Sequence, residues 1–364
     1  MLPMKRLLMV WVALALAGCG GSASDVTSSS SGGTGGQAGS AGTSGSGGGS
    51  AGTGGSAAAG GTAASGGTAG GGGTAGSSGA GGTAGGSSCT LPPMSPGART
   101  ISITSGGRKR TAHLVVPAGY DAKKRTPLLL LYHGYLEDAA RIESSTGMTP
   151  IAGKHGVIVV YPQGVSNSFN AGPKCCGTAS ATQVDDVQFT KDLLDKLESQ
   201  LCVDTKRVYA AGFSNGAMFS SRLGCELGSR IAAIAPVSGP IAVTSCKPSR
   251  PIPVIEFHGT SDIVVPYNGG GLGGALSVPD AIKLWKTNNG CTDAQPKTVF
   301  QNGDTTCTAY QSCKAGAHVE LCTISSGGHQ WPGGTDPLAG VGKQTQDINA
   351  SSAMVDFFLA YPMP

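Results

Sequence analysis

One serine, one aspartate and two late histidines have the types and the chain order to carry covalent chemistry. Ser214 stands in RVYAAGFSNGAMFSS, between Gly212 and Gly216. The G-x-S-x-G spacing proves little by itself, because the chain holds 61 glycines and the same spacing recurs around Ser50 in a tract of small residues. Context separates the two serines. The apolar run before Ser214 reads as a buried strand, and Ala217, Met218, Phe219 and Leu223 after it favour a helix. A sharp strand-to-helix turn is the setting that presents a serine hydroxyl as a nucleophile. Ser50 has neither neighbour.

A serine hydroxyl is a weak nucleophile and needs a base, which in turn needs an orienting acid. On a strand-turn-helix scaffold of this kind the three follow one another as serine, acid, histidine. Asp262 follows His258 in EFHGTSD, at the end of a predicted strand, and is the expected acid. The base is then His318 or His329. His318 lies in the alternating stretch AHVELCTI and reads as a sheet residue. His329 lies in the glycine-rich loop SSGGHQWPGG and is the expected base. Negative charge developing on a substrate oxygen calls for two backbone N–H donors. Asn215, directly after the serine, offers one; Tyr135 in YHGYLED offers the other, with Gly134 allowing close approach and His133 shaping the loop.

These residues need a scaffold, and the chain alternates between predicted strands and helices. RTISITSGGRKRTAHLVVP reads as two strands about a Gly-Gly turn. LLLLYHG, GVIVVYP, RVYAAG, IAAIAPVSG and PIPVIEFHG read as strands buried on both faces. Helices are predicted around 142–155, 184–201, 278–289 and 351–360, and after Ser214. The fold class is α/β: a mostly parallel central sheet with helices on both faces. Sites in such sheets form beyond the carboxyl ends of the strands.

Composition divides the 364 residues into three segments. Residues 1–18 combine Lys5 and Arg6 with an apolar run too short to span a bilayer, the anatomy of an export signal. It ends in Leu16-Ala17-Gly18-Cys19, the pattern of a bacterial lipoprotein, which makes Cys19 the expected lipid acceptor. Residues 19–88 are almost wholly Gly, Ser, Ala and Thr and are expected to be a disordered linker. Residues 89–364 form the folded domain. Of the 11 cysteines, all but Cys19 lie at or beyond Cys89, so an exported, disulfide-rich domain is expected. Adjacent Cys175 and Cys176 are expected to pair with distant partners, and Cys307 with Cys322 across a hairpin. The histidines are not spaced with cysteines as metal ligands, and no metal or cofactor is expected. A formal net charge of +4 without clustering gives no support for nucleic-acid binding.

Taken together, HGYLEDA, VVYPQG, CCG, VDDVQF, RVYAAGFSNGAM, AAIAPVSG, FHGTSDIVVPY and GGHQWPGG resemble the secreted polyhydroxybutyrate depolymerase and feruloyl esterase group of α/β-hydrolases, close to carbohydrate esterase family 1. The likeness runs from about Ile101 to Phe358. It implies an α/β-hydrolase fold with Ser214, Asp262 and His329 as nucleophile, acid and base. It also implies a serine esterase cleaving carboxylic esters through an acyl-enzyme, on feruloyl or acetyl esters of plant polysaccharide or else on a polyester. Trp331, matching the group's H-x-W-P, either lines the acyl pocket or packs in the core. Asn167 and Phe169, in the loop 163–183, either form the pocket rim or belong to a disulfide-tied surface loop. The expected setting is extracytoplasmic: a monomer meeting a polymeric ester, with the lipid at Cys19 as its one membrane contact. A peptidase on the same fold and a non-catalytic surface lipoprotein are the competing readings.

Overall fold

A computed structural model of the chain describes residues 89–91 and 94–364. The expected signal (1–18), the lipid acceptor Cys19 and the linker (19–88) lie outside the described residues. No helix among those described is long and apolar enough to cross a membrane.

Ten strands form one sheet: β1 (Gly97–Ser105), β2 (Arg108–Val116), β3 (Thr126–Tyr132), β4 (Ile158–Pro162), β5 (Val203–Phe213), β6 (Ala233–Val237), β7 (Val254–Gly259), β8 (Lys297–Asn302), β9 (Thr305–Tyr310) and β10 (Val319–Ile324). Their order is β1-β2-β4-β3-β5-β6-β7-β10-β9-β8. From β4 to β10 neighbouring strands pair in parallel, and antiparallel hairpins close both edges. The β1–β2 turn uses Gly106 and Gly107, both at positive φ, where a side chain would be disfavoured.

Among the described residues seven helices cover the sheet: α1 (Ala139–Thr146), α2 (Met148–Lys154), α3 (Gly177–Ala181), α4 (Asp186–Glu198), α5 (Asn215–Glu226), α6 (Val278–Asn288) and α7 (Ala350–Ala360). The single helix expected near 142–155 is broken in two by Gly147, which caps α1 in the left-handed conformation. One core packs α4, α5 and α6 on one face through Phe189, Leu193, Phe219, Leu223 and Trp285. The other packs α1, α2 and α7 through Ile142, Met148, Met354 and Phe358. The central strands are buried on both sides, which accounts for their unbroken apolar sequences. The fold is an α/β-hydrolase sheet. Tyr135, Ser214, Asn215, Asp262 and His329 follow the carboxyl ends of β3, β5, β7 and β10, and Asn167 and Phe169 that of β4.

Five disulfides are present: Cys89–Cys202, Cys175–Cys176, Cys225–Cys246, Cys291–Cys313 and Cys307–Cys322. Cys307 and Cys322 face each other in register across β9 and β10, as expected from their hairpin. Cys175 and Cys176 correct the expectation, since they bond to each other. The reason is topological. The other eight cysteines of the domain are paired elsewhere, and the Cys175–Cys176 unit is buried in a tight turn where Cys175 N–H donates to the Gly172 carbonyl at 3.2 Å.

Loop-closure entropy ranks these links. Cys89–Cys202 spans 113 residues in sequence and Cys307–Cys322 spans 15. Replacing both cysteines of the longer link by alanine should cost about 5 kcal/mol, and of the shorter about 3 kcal/mol. Urea unfolding of the two double variants checks the order.

Candidate active site

Ser214 occupies the turn between β5 and α5 with φ 54° and ψ −116°. For a non-glycine residue this is a costly conformation that only close surrounding structure maintains. Here the Ser214 N–H donates to Val237 O on β6 at 2.9 Å, and its carbonyl accepts the Met218 N–H at 3.0 Å. The neighbouring glycines are required for close approach. A Cβ at Gly212 would overlap the Gly216 carbonyl; one at Gly216 would overlap the Tyr132 carbonyl on β3. A Cβ at Gly239, just after β6, would overlap the carbonyl of Ser214 itself.

Asp262 and His329 are brought together from loops 67 residues apart in sequence: His329 Nδ1 and Asp262 Oδ2 lie 2.8 Å apart. The other Asp262 oxygen accepts the N–H groups of Val264 and Val265 at 2.9 and 2.8 Å. Burial opposes ionisation of this carboxyl, but hydrogen bonds from His258 and His329 override it and hold the group well below the usual carboxylate range. Because Asp262 stays anionic, the hydrogen between it and His329 sits on Nδ1, and Nε2 is left free to accept a proton. The imidazole is steadied by Phe213, the residue before Ser214, with ring centroids 4.8 Å apart. Its loop is tied to β6 through Ser238, whose hydroxyl donates to the Gln330 carbonyl at 3.3 Å. His318 belongs to a different neighbourhood, between Glu320 at 3.0 Å and the Tyr361 hydroxyl at 2.8 Å.

The two expected N–H donors are those of Asn215 and Tyr135. Among the described residues, neither the Asn215 nor the Tyr135 amide N–H meets an acceptor. Gly134 N–H is not available, because it donates to Glu137 Oε2 at 2.9 Å. The loop carrying Tyr135 is built from both sides. His133 Nδ1 donates to Gly134 O at 2.8 Å, while its Nε2 accepts the Gly164 N–H at 3.0 Å. Burial pushes this imidazole down to about 4, so it stays neutral and keeps both bonds at ordinary pH. Leu136 N–H donates to Asn167 O at 2.9 Å.

The expected substrate contacts fare differently. Phe169 is fully buried and is not at a rim. The Asn215 side chain clamps its backbone in two hydrogen bonds, of 2.8 and 2.9 Å. That clamp drives the ring inward, where it stacks on Phe219 and meets Tyr132 edge-on. Trp331 is also a packing residue: it is buried, meets Phe213 edge-on, and donates its indole N–H to Ser351 at 3.0 Å. Asn167 is partly exposed, and its side chain accepts from Gln163 at 3.1 Å.

Sequence reasoning missed several groups. Glu137 and Ser238 fasten the two loops, and nothing in their spacing signalled it. Leu136 and Ile263 were equally silent. The exposed large apolar side chains among the described residues are Leu136, Ile263, Val299 and Phe300. Two of these four directly follow Tyr135 and Asp262. Leu136 is held outward by a left-handed backbone (φ 66°), and Ile263, 69% exposed, by the turn closed on Asp262.

Comparison with known proteins adds to this geometry. A family model described as "Esterase PHB depolymerase" matches residues 111–264, which include Ser214 and Asp262. Feruloyl esterase B of Piromyces equi is 39% identical over 229 residues, 58% of this chain and 41% of that protein. Over these residues the chain is similar to the polyhydroxybutyrate depolymerase and feruloyl esterase group of α/β-hydrolases. Another relative of the group is the bifunctional acetylxylan esterase/xylanase XynS20E of Neocallimastix patriciarum. It is 30% identical over 61% of this chain and 31% of its own length. The chain thus spans less than half the length of these two curated relatives. The solved acetyl xylan esterase from Aspergillus awamori superposes with a TM-score of 0.50 over 71% of this chain and 98% of that one. At 13% identity that likeness is one of fold.

Gly239→Ala places a methyl group against the Ser214 carbonyl and should destabilise the fold by about 2–3 kcal/mol. Labelling of the chain by a fluorophosphonate should fall with it. Gly119→Ala, where a Cβ meets nothing within 4 Å, should change stability by less than about 0.5 kcal/mol. Chemical denaturation and gel fluorescence read both.

Proposed function

We propose that this chain is a serine esterase that cleaves carboxylic esters through an acyl-enzyme, with feruloyl-type esters of plant polysaccharide as its substrates. The observation that carries the reading is the anionic Asp262 bonded to His329, whose ring packs on Phe213, the residue before the strained Ser214. In this reading Ser214 Oγ attacks the ester carbonyl while His329 Nε2 takes its proton, and Asp262 stabilises the imidazolium that results. The free N–H groups of Asn215 and Tyr135 hold the tetrahedral oxyanion. His329 then returns the proton to the departing alcohol, and a water activated by the same imidazole releases the acid. Protein groups carry every step, without a metal or organic cofactor.

The substrate side of the reading rests on the apolar surface beside the site. With Phe169 and Trp331 taken up by the core, Leu136 and Ile263 are the side chains free to cover an aromatic or hydrocarbon acyl group. The named relatives, a feruloyl esterase and an acetylxylan esterase, agree with esters of plant cell-wall polymers. A polyester of hydroxyalkanoate is the second reading, favoured by the description of the matching family model. Five disulfides support an exported protein, and we place it outside the cytoplasm as a monomer, anchored by a lipid on Cys19.

Methyl ferulate, p-nitrophenyl acetate and hydroxybutyrate oligomers, offered in parallel to the full-length chain, test this. Ferulate release should exceed hydroxybutyrate release, and Ser214→Ala should abolish both. Ile263→Ser removes roughly 1 kcal/mol of apolar contact and should raise KM for methyl ferulate about fivefold while sparing the acetyl ester. No turnover of any of the three by a folded chain would leave a surface-binding protein.

A further inference from the structure

Next to Asp262 lies a second pair of ionisable groups that the proposed reaction does not use. Glu256 and His258 sit two residues apart on β7 and therefore point to the same face of the sheet. Both are completely buried. Neither carboxyl oxygen of Glu256 has a hydrogen-bond partner, and neither does His258 Nδ1. The nearest approach between them is 3.7 Å, from Nδ1 to Oε1. The other ring nitrogen, Nε2, lies 2.9 Å from the Val265 carbonyl and 3.4 Å from Asp262 Oδ2. That Asp262 oxygen is the one bonded to His329.

The hydrogen inventory constrains this cluster. A carbonyl only accepts, so His258 Nε2 carries a hydrogen. Were the imidazole neutral, Nδ1 would turn a lone pair toward Glu256. An ionised Glu256 would then be a buried anion without a single donor, which an apolar interior does not tolerate. One proton must therefore be held at the edge between Nδ1 and Glu256. The nearby Asp262 carboxylate favours placing it on the ring.

We propose that His258 is a fixed imidazolium, with Glu256 as its buried counter-ion, and that it positions Asp262 by holding the same Oδ2 that His329 bonds. Oδ2 then stands between two imidazoles that share its charge. Because His258 takes part of that charge, the pair sets how strongly Asp262 acts on His329. The pair acts through Asp262 and touches no substrate, so both are positioning residues.

The charges around His258 agree with this. Burial alone would push its imidazole down, but Asp262 and Glu256 override it and raise it to about 9. Burial opposes ionisation of Glu256, and the His258 imidazolium is the group that offsets it. The remaining groups nearby are the Tyr267 phenol, its ring edge-on to His258 at 5.9 Å, and Lys343. Lys343 lines the same small cavity and is paired with Asp304 at 2.7 Å.

This inference rests on the proposed esterase chemistry for its consequence but not for its first test. In the full-length chain with 15N-labelled histidine, His258 should show two protonated ring nitrogens throughout pH 5 to 8. In Glu256→Gln the amide can fill the contact to Nδ1 without charge, and the ring should show one. If the protein hydrolyses esters, the acid limb of kcat/KM in Glu256→Gln should move up by roughly half a pH unit or more. A His258 singly protonated at pH 6 in the unaltered protein would overturn the proposal, whether or not the chain is an esterase. So would an unmoved acid limb in a folded Glu256→Gln whose only change is a shifted melting temperature. If no ester is turned over, the esterase reading fails while the 15N result still decides the protonation.

Discussion

Three backbone segments crowd around Ser214 so tightly that no side chain fits between them. The turn leaving β5 touches the end of β3 at Gly216 and the end of β6 at Gly239, and it folds back on itself at Gly212. Removing three Cβ atoms lets the strands approach, and the approach in turn forces Ser214 into its left-handed backbone. Every other part of the site takes its position from this crossing. The Asn215 N–H is free because α5 begins there, and first-turn N–H groups of a helix have no partner within it. The Asn215 side chain, pointing the other way, clamps Phe169 and so anchors the long loop after β4.

Charge is then managed from the opposite side of the cleft. Asp262 is buried, which would ordinarily favour its neutral form, yet four hydrogen-bonding groups converge on it: two backbone N–H groups and two imidazoles. Its ionised state is a property of that arrangement. The neutral state of His133 shows the contrary case, where burial without a charged partner lowers an imidazole.

The parts of this architecture that are local in sequence were legible there. Buried strands announced themselves as unbroken apolar runs, and the elbow by its glycines between strand and helix. What failed was what depends on packing between distant segments. Phe169 reads as a loop aromatic until the Asn215 clamp turns its ring into the core. Trp331 reads equally as a pocket or a packing residue until Ser351 takes its indole N–H. Cys175 and Cys176 could not be paired until the other eight cysteines of the domain had found one another. The edge strand β8 is exposed along its whole length and lacks the alternation that marks a half-buried strand. Glu256 was the overlooked clue. A carboxyl inside the apolar run PIPVIEFHG contradicts burial and asks for a partner, and the partner was two residues away.

A single trapped intermediate tests the chemistry most directly. The full-length chain, mixed with a p-nitrophenyl ester of a hindered acid that leaves the enzyme slowly, is quenched in acid, weighed intact and mapped by peptide mass. One acyl group per chain, carried on Ser214, is the predicted result, with release of p-nitrophenol in a burst of equal size. Steady hydrolysis with no acyl group retained on the chain, or with the group on another residue, would contradict the reading of Ser214 as the nucleophile.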